Sequence, residues 1–262
     1  MKRIAAALLL LACLPAAGRS SVPVTLRVLT YNIHHGEGTD GRFDLPRVAA
    51  LISAASPDLV ALQEVDDRTA RAGGVDQLAE LARLTGMHGQ FGKAMDFQGG
   101  AYGVAVLTQR PAVRVVNHAL PARDGREPRT ALTVDVPTLD GPTVHFTSTH
   151  LDQGRDQEHR LEQAGFINQT LAIGATTPAI LAGDMNSRPD TEVMQVLGGR
   201  WLALAPVLPP VAPDRPRGLV DHVLARPMED WRAVETQVID DRLASDHRPL
   251  LVVLEWAPRA TH

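Results

Sequence analysis

Short apolar runs rich in Val, Leu, Ile and Thr recur from Val24 to Glu255, and six places at the ends of these runs carry a polar side chain suited to chemistry. Runs of this length, bounded by Gly, Pro, Asn and Asp, read as buried strands. They fall at Val24 to Thr30, Leu59 to Gln63, Ala101 to Thr108, Val113 to His118, Thr130 to Val136, Thr143 to His150 and Ala179 to Ala182, with further runs near Leu219 to Leu224, Arg232 to Val238 and Pro249 to Glu255. Helical patterns lie between some of them. Asp44 is placed to cap a helix over Leu45 to Ala54, with Pro46 tolerated in the first turn. Leu78, Leu81 and Leu84 recur at helical spacing in Val75 to Thr85, which stops at Gly86, and a longer helix is expected from Asp156 to Ile173. Helices alternate with strands early and hairpin-like runs fill the middle, so the pattern predicts an α/β fold with mixed sheets. A Pro-rich loop is expected from Pro206 to Arg217.

The first 18 residues follow another logic. Lys2 and Arg3 precede an apolar run from Ile4 to Ala12, then come Ala16, Ala17 and Gly18, which is the pattern of a signal peptide. The expected organisation is a signal peptide over 1–18 and one domain over 19–262, exported to the periplasm or the exterior. Cys13 is the sole cysteine, so a chain cut after Gly18 would hold no disulfide. Leu10-Leu11-Ala12-Cys13 also has the form of a lipoprotein signal, and lipidation of Cys13 is the one route to membrane attachment considered. The formal net charge is −4, and losing Lys2 and Arg3 would take it to −6. A field of that sign does not gather polyanions, and 4% aromatic residues leave few platforms for stacking bases.

The six places are Asn32, Glu64, His150, Asp184 with Asn186, Asp221, and Asp246 with His247. Strand ends are where α/β proteins assemble sites, although a single Asx after a strand is usually a turn former. Together they make a coherent set. Carboxylates and amide oxygens suit a hard divalent cation such as magnesium, manganese or calcium, and imidazoles can serve a charged phosphate. Ser187 and Ser245 lie near these residues, yet neither sits in a nucleophile-elbow pattern.

The segments Thr30-Tyr31-Asn32-Ile33, Leu62-Gln63-Glu64-Val65, Ser148-Thr149-His150-Leu151, Gly183-Asp184-Met185-Asn186-Ser187 and Ser245-Asp246-His247-Arg248-Pro249 resemble, in order, the signature blocks of the endonuclease/exonuclease/phosphatase superfamily. The resemblance covers roughly Thr25 to Glu255. It implies the deoxyribonuclease-I-like four-layer α/β sandwich, two mixed β-sheets packed face to face with helices outside. It also implies roles. Glu64 would be the principal metal ligand with Asn32 beside it, Asp184 would position or deprotonate the attacking water, and Asn186 would orient water or phosphate. His247, held by Asp221, and His150 would contact the phosphate, while Asp246 would serve a metal site or orientation. Arg129, in Glu127-Pro128-Arg129-Thr130, is similar to a superfamily arginine that touches a phosphate oxygen, with plain surface exposure as the alternative.

Two departures stand out. Some nucleases of the superfamily have an acidic residue where this chain has His34, which is followed by His35-Gly36; His34 could bind phosphate, reach a second metal or only close a turn. His222 follows Asp221 where an aromatic is frequent. The glycine-marked stretches Gly73-Gly74-Val75-Asp76-Gln77 and Gly99-Gly100 with Tyr102-Gly103 read as tight turns and hairpins. The opening Tyr31 to Gly36 also looks like a bacterial branch of hydrolases and like domains linked to glycolipid-anchor and phospholipid head-group handling. Three readings follow: a hydrolase of lipid head groups or small phosphoesters, a secreted nuclease, and a binding protein that kept the fold without the chemistry.

Overall fold

The computed structural model describes residues 23–139, 141–172, 174, 177–204 and 219–257. The expected signal segment with Cys13, the Pro-rich loop from Pro206 to Arg217 and Ile173 lie outside the described residues. Two six-stranded sheets make up the centre. The first has the order β11-β12-β1-β2-β4-β3, built from β1 (Val24–Asn32), β2 (Leu59–Asp67), β3 (His88–Phe97), β4 (Gly100–Thr108), β11 (Trp231–Val238) and β12 (Leu250–Trp256). The second has the order β5-β6-β7-β8-β10-β9, from β5 (Arg114–Ala119), β6 (Thr130–Pro137), β7 (Thr143–His150), β8 (Ala179–Asp184), β9 (Leu202–Ala203) and β10 (Asp221–Arg226). Helices α1 (Leu45–Ala55), α2 (Gln77–Thr85), α3 (Glu158–Thr170) and α4 (Glu192–Gly198) complete it.

Each sheet is mixed for the same reason. β1 runs parallel to β2 and β7 parallel to β8, and a parallel neighbour needs a crossover, supplied by α1 in the first case and α3 in the second. The remaining neighbours pair antiparallel.

Alternation along the strands sorts side chains into layers. Val28, Ala61, Val106, Leu132, Phe146, Ala182 and Leu254 fill the space between the sheets. Leu29, Tyr31, Val60, Leu62 and Leu107 turn the other way and pack on Val48 and Ile52 of α1 and on Leu78 and Leu81 of α2. Leu181 and Leu224 meet Ala164 and Ile167 of α3, Val193 and Leu197 of α4, and Trp201. Strands buried on both faces explain why β1, β2 and β8 read as continuous apolar runs. The result is the four-layer α/β sandwich expected from the resemblance.

The helix starts follow their caps. Asp44 Oδ1 accepts from Arg47 N at 2.9 Å and Asp76 Oδ1 from Ala79 N at 3.0 Å, each satisfying an otherwise orphaned amide. The second helix therefore begins at Gln77 and not at Val75. Three elements had no clear signal in the sequence. β3 is an edge strand whose Gly89, Gly92, Lys93 and Asp96 dilute the apolar pattern; a Cβ on Gly92 would lie 2.8 Å from Leu132 Cβ. α4 is only seven residues and β9 only two. β3 joins β4 through a tight turn with Gln98 at φ 46° and Gly99 at φ 80°, so the hairpin reading of that glycine-marked stretch holds.

Candidate active site

The carboxyl ends of both parallel pairs lie together. β1 ends at Asn32 beside Gln63, and β7 ends at His150 in register with Asp184, the last residue of β8. Asp221 begins β10 and pairs across the antiparallel ladder with the same Asp184. Register thus gathers His150, Asp184 and Asp221, and the packing of one sheet on the other brings Asn32 to Asp184. Gly183 permits the close approach of β8 to β7, since a Cβ there would sit 1.9 Å from the Thr149 carbonyl oxygen.

Glu64 reaches the site by a different device. β2 continues past Gln63, but its pairing with β4 slips between Leu62 and Val65, and Glu64 adopts φ 56°. The bulge re-aims one side chain out of the strand's alternation. His34, His35 and Asn186 also have positive φ, at 46°, 44° and 45°. Backbone of this kind costs free energy and persists where the surroundings over-determine it.

The last block is tethered from outside the sheets. Ser245 Oγ donates to Asn32 O at 2.7 Å and accepts from His247 N at 3.1 Å, which pins the loop before β12 to the end of β1. His222, in the position where an aromatic was expected, is buried and bonds Ser187 O through Nε2 at 2.8 Å, bracing the loop after β8.

Asp184 lies at the centre. Asn32 Nδ2 donates to Asp184 Oδ2 at 3.2 Å and to Glu64 Oε1 at 2.9 Å, joining the two carboxylates through one amide. His150 Nε2 is 3.5 Å and His247 Nε2 3.7 Å from Asp184 Oδ2. Asn186 N donates to Asp184 Oδ1 at 2.8 Å. His247 Nδ1 meets Asp221 Oδ2 at 2.9 Å, the carboxylate–imidazole pair anticipated from the sequence.

Burial and the nearby Asp221 push the Asp184 carboxyl up to about 7. Burial works against protonation of His247, but the Asp221 contact and the field of Asp184 and Asp246 outweigh it and push the imidazole up to about 10. His150 moves the opposite way. Its burial and the adjacent Arg129 guanidinium hold it well below the ordinary imidazole value, so it is a neutral ring. Arg129 Nη1 lies 2.7 Å from His150 Nδ1; the guanidinium is always a donor, so the ring proton sits on Nε2, on the Asp184 side. Burial also opposes ionisation of Glu64, yet the facing His35 and the Asn32 amide together hold that carboxyl well below the usual range.

Beside this centre is a cleft of about 180 Å³ lined by His34, His35, Glu64, Arg71, Phe97 and Tyr102 among others. Arg71 is gripped by the fully buried Asp66 through Nε at 2.7 Å and Nη2 at 2.9 Å, and its guanidinium lies 4.7 Å from the Phe97 ring centroid. Two groups of three side chains place potential ligand atoms within 4.8 Å of one another: His34, His35 and Glu64, and Asp184, Asp221 and His247.

Of the residues singled out in the sequence, Asn32, Glu64, His150, Asp184, Asn186, Asp221 and His247 converge. Two sit differently from the simplest expectation. Arg129 is buried behind His150 and paired with Glu127 at 3.0 Å, so surface exposure is excluded and the guanidinium acts through the ring it touches. Asp246 is exposed and belongs to neither three-residue group among the described residues. Asn32 Oδ1 accepts from His34 N at 3.0 Å, which leaves the NH₂ toward the carboxylates. Arg71, Phe97 and Glu37 gave no signal in the sequence, because they come from a turn, an exposed edge strand and a loop whose proximity only the fold creates.

The profile of the endonuclease/exonuclease/phosphatase family matches residues 29–247, most of the chain and the whole span that holds these residues. The chain belongs to this family. No curated protein matches it. Among solved structures, an endonuclease/exonuclease/phosphatase from Beutenbergia cavernae is 28% identical, with TM-score 0.73 over 89% of this chain and 72% of that one. A mannosyl-6-phosphatase of Bacteroides thetaiotaomicron is 19% identical (TM-score 0.70, 87% and 99% covered), and the human Nocturnin catalytic domain 20% (TM-score 0.69, 90% and 97% covered). The last two share the fold with this family member.

Proposed function

We propose that this family member is an exported, divalent-metal-dependent phosphoester hydrolase that uses in-line attack of water on phosphorus, with a lipid head group or other small phosphoester as substrate. The observation that carries the reading is Asp184, a buried carboxylate poised near neutrality with Asn32, His150 and His247 around one of its oxygens. A base whose proton affinity matches the working pH is the most effective one for activating water. His247, kept cationic by Asp221, supplies positive charge to an equatorial phosphate oxygen. His150, with Arg129 fixing its tautomer, offers an Nε2–H to another. Asn186 holds the turn that presents Asp184, its backbone N donating to Asp184 Oδ1 and its Nδ2 to Leu151 O at 3.0 Å.

Glu64 fits a divalent cation, being ionised, directed into the cleft and tied to Asp184 only through the Asn32 amide. When bound, such an ion neutralises charge on the phosphate. The narrow cleft and the net charge of −4 favour a small substrate over nucleic acid. Export rests on the signal-like pattern of residues 2–18.

The test is hydrolysis of bis(p-nitrophenyl) phosphate, a phospholipid panel and plasmid DNA by the purified chain with magnesium, manganese or chelator, beside Glu64→Ala. Chelator-sensitive cleavage of the small esters that is lost in Glu64→Ala is expected. Preference for plasmid DNA would replace the small-ester reading with a nuclease, and no turnover with any metal would remove the hydrolase reading.

A further inference from the structure

His34 and His35 are the feature that the hydrolytic machinery does not use. They sit in a tight turn in which His34, His35 and Gly36 all have positive φ, at 46°, 44° and 81°. Two consecutive histidines in this region are costly, and a turn alone would be served by Asn or Gly. The turn is braced: Gln77, buried at the start of α2, donates through Nε2 to His35 O and accepts from Asp66 N at 2.9 Å.

Both rings are oriented by one residue. His34 Nδ1 lies 3.0 Å from Glu37 O, and His35 Nε2 lies 3.3 Å from Glu37 Oε2. With those nitrogens donating to Glu37, the lone pairs fall on His34 Nε2 and His35 Nδ1. His35 Nδ1 is buried without a hydrogen-bond partner and faces Glu64 Oε2 at 4.0 Å. That separation is within twice a metal–ligand bond of about 2.1 Å. Rings whose second nitrogen is held by a carboxylate or a carbonyl are the usual form of metal-bound histidine. The adjoining cleft gives an ion access.

We propose that His34, His35 and Glu64 form a two-imidazole, one-carboxylate metal centre that selects a transition ion such as zinc or manganese over magnesium, with Glu37 positioning both rings. Oxygen donors suit magnesium, whereas imidazole donors raise affinity for transition ions. The proposal deepens the hydrolase reading, on which it rests for the role of the bound ion; of the cations that the carboxylates alone had indicated it keeps manganese, disfavours magnesium and adds zinc.

The experiment is calorimetric titration of the chelator-stripped full chain with Zn²⁺, Mn²⁺ and Mg²⁺, together with pulsed EPR of the Mn²⁺ form. One equivalent of Zn²⁺ is expected to bind at least about 100-fold more tightly than Mg²⁺. His34→Ala and His35→Asn should each weaken it, the latter keeping a residue that tolerates the left-handed turn, and Glu37→Gln should cost about 10-fold. Bound Mn²⁺ should show coupling to ring nitrogen. Absence of that coupling, or Zn²⁺ affinity unchanged in both histidine variants, overturns the centre. Histidine-dependent binding with no phosphoester turnover upholds the centre and overturns the hydrolase reading; magnesium-driven turnover indifferent to both histidine variants does the reverse.

Discussion

At the scale of single residues, the site holds charges where a folded protein would rather not have them. Asp184 is 1% exposed and close to Asp221, so the fold favours its protonated form. The sign follows from linkage: stability tied to that proton is present below about 4, and it is lost as pH rises through about 7. Asp184→Asn is therefore expected to raise the unfolding midpoint at pH 8 in the presence of chelator, with little gain at pH 4.5, while lowering turnover about 10²- to 10⁴-fold. A fall in the pH 8 midpoint would contradict this account of the carboxylate. His247 acts in the same direction, over a higher pH window. Its raised proton affinity stabilises the fold below about 6.5, a contribution lost progressively as pH rises toward about 10. His247→Gln should cost about 3 kcal/mol at pH 6 by leaving Asp221 without its partner, and denaturant titrations repeated up to pH 10 should show the penalty shrinking. The sequence marked both residues through their blocks, but not these proton affinities, which arise from burial and from neighbours distant along the chain.

Elements differ in how openly the sequence announces them. α1 was legible because its cap, its N-terminal proline and its apolar face all agree. Asp44→Ala should remove the bond to Arg47 N and cost about 1 kcal/mol in denaturant unfolding with turnover unchanged, since the helix lies on the outer face of the first sheet. β3 was illegible because an edge strand needs neither strict alternation nor a continuous apolar run, and its register is set by the hairpin turn at Gln98 and Gly99. The bulge in β2 is the instructive case. Leu59 to Gln63 reads as a strand that stops, whereas the strand runs to Asp67 with Glu64 turned out of line. Nothing local distinguishes a strand end from a bulge when a charged residue follows an apolar run.

For the molecule as a whole, the two sheets act as one scaffold because their facing sides are sealed by a continuous apolar layer. Phe146 is fully buried at its centre. Phe146→Ala should cost about 3–5 kcal/mol, and because Asn32 and Glu64 come from one sheet while His150 and Asp184 come from the other, turnover should fall well before the chain unfolds on heating. Charge acts at the same scale. With a net charge of −4 and no dense basic run, hydrolysis of a small phosphoester should change less than about twofold between 50 and 200 mM salt, whereas an enzyme holding several backbone phosphates of DNA would lose orders of magnitude in affinity over that range. A steep salt dependence of KM would point to polyanion binding.

The sequence by itself determined the α/β class, the Asp44 cap of the first helix, the ordered blocks and the six side chains that join Asp184 in the site, because strand periodicity and polar strand ends are local properties of the chain. Only the tertiary structure decided that Arg129 acts from behind His150, that Asp246 stands outside both ligand groups, and that Glu37 orients the two rings of His34 and His35 toward Glu64. Those relations depend on register between strands far apart in sequence and on backbone turned through positive φ. Both are set by packing of the whole sandwich and by no pattern within a single segment.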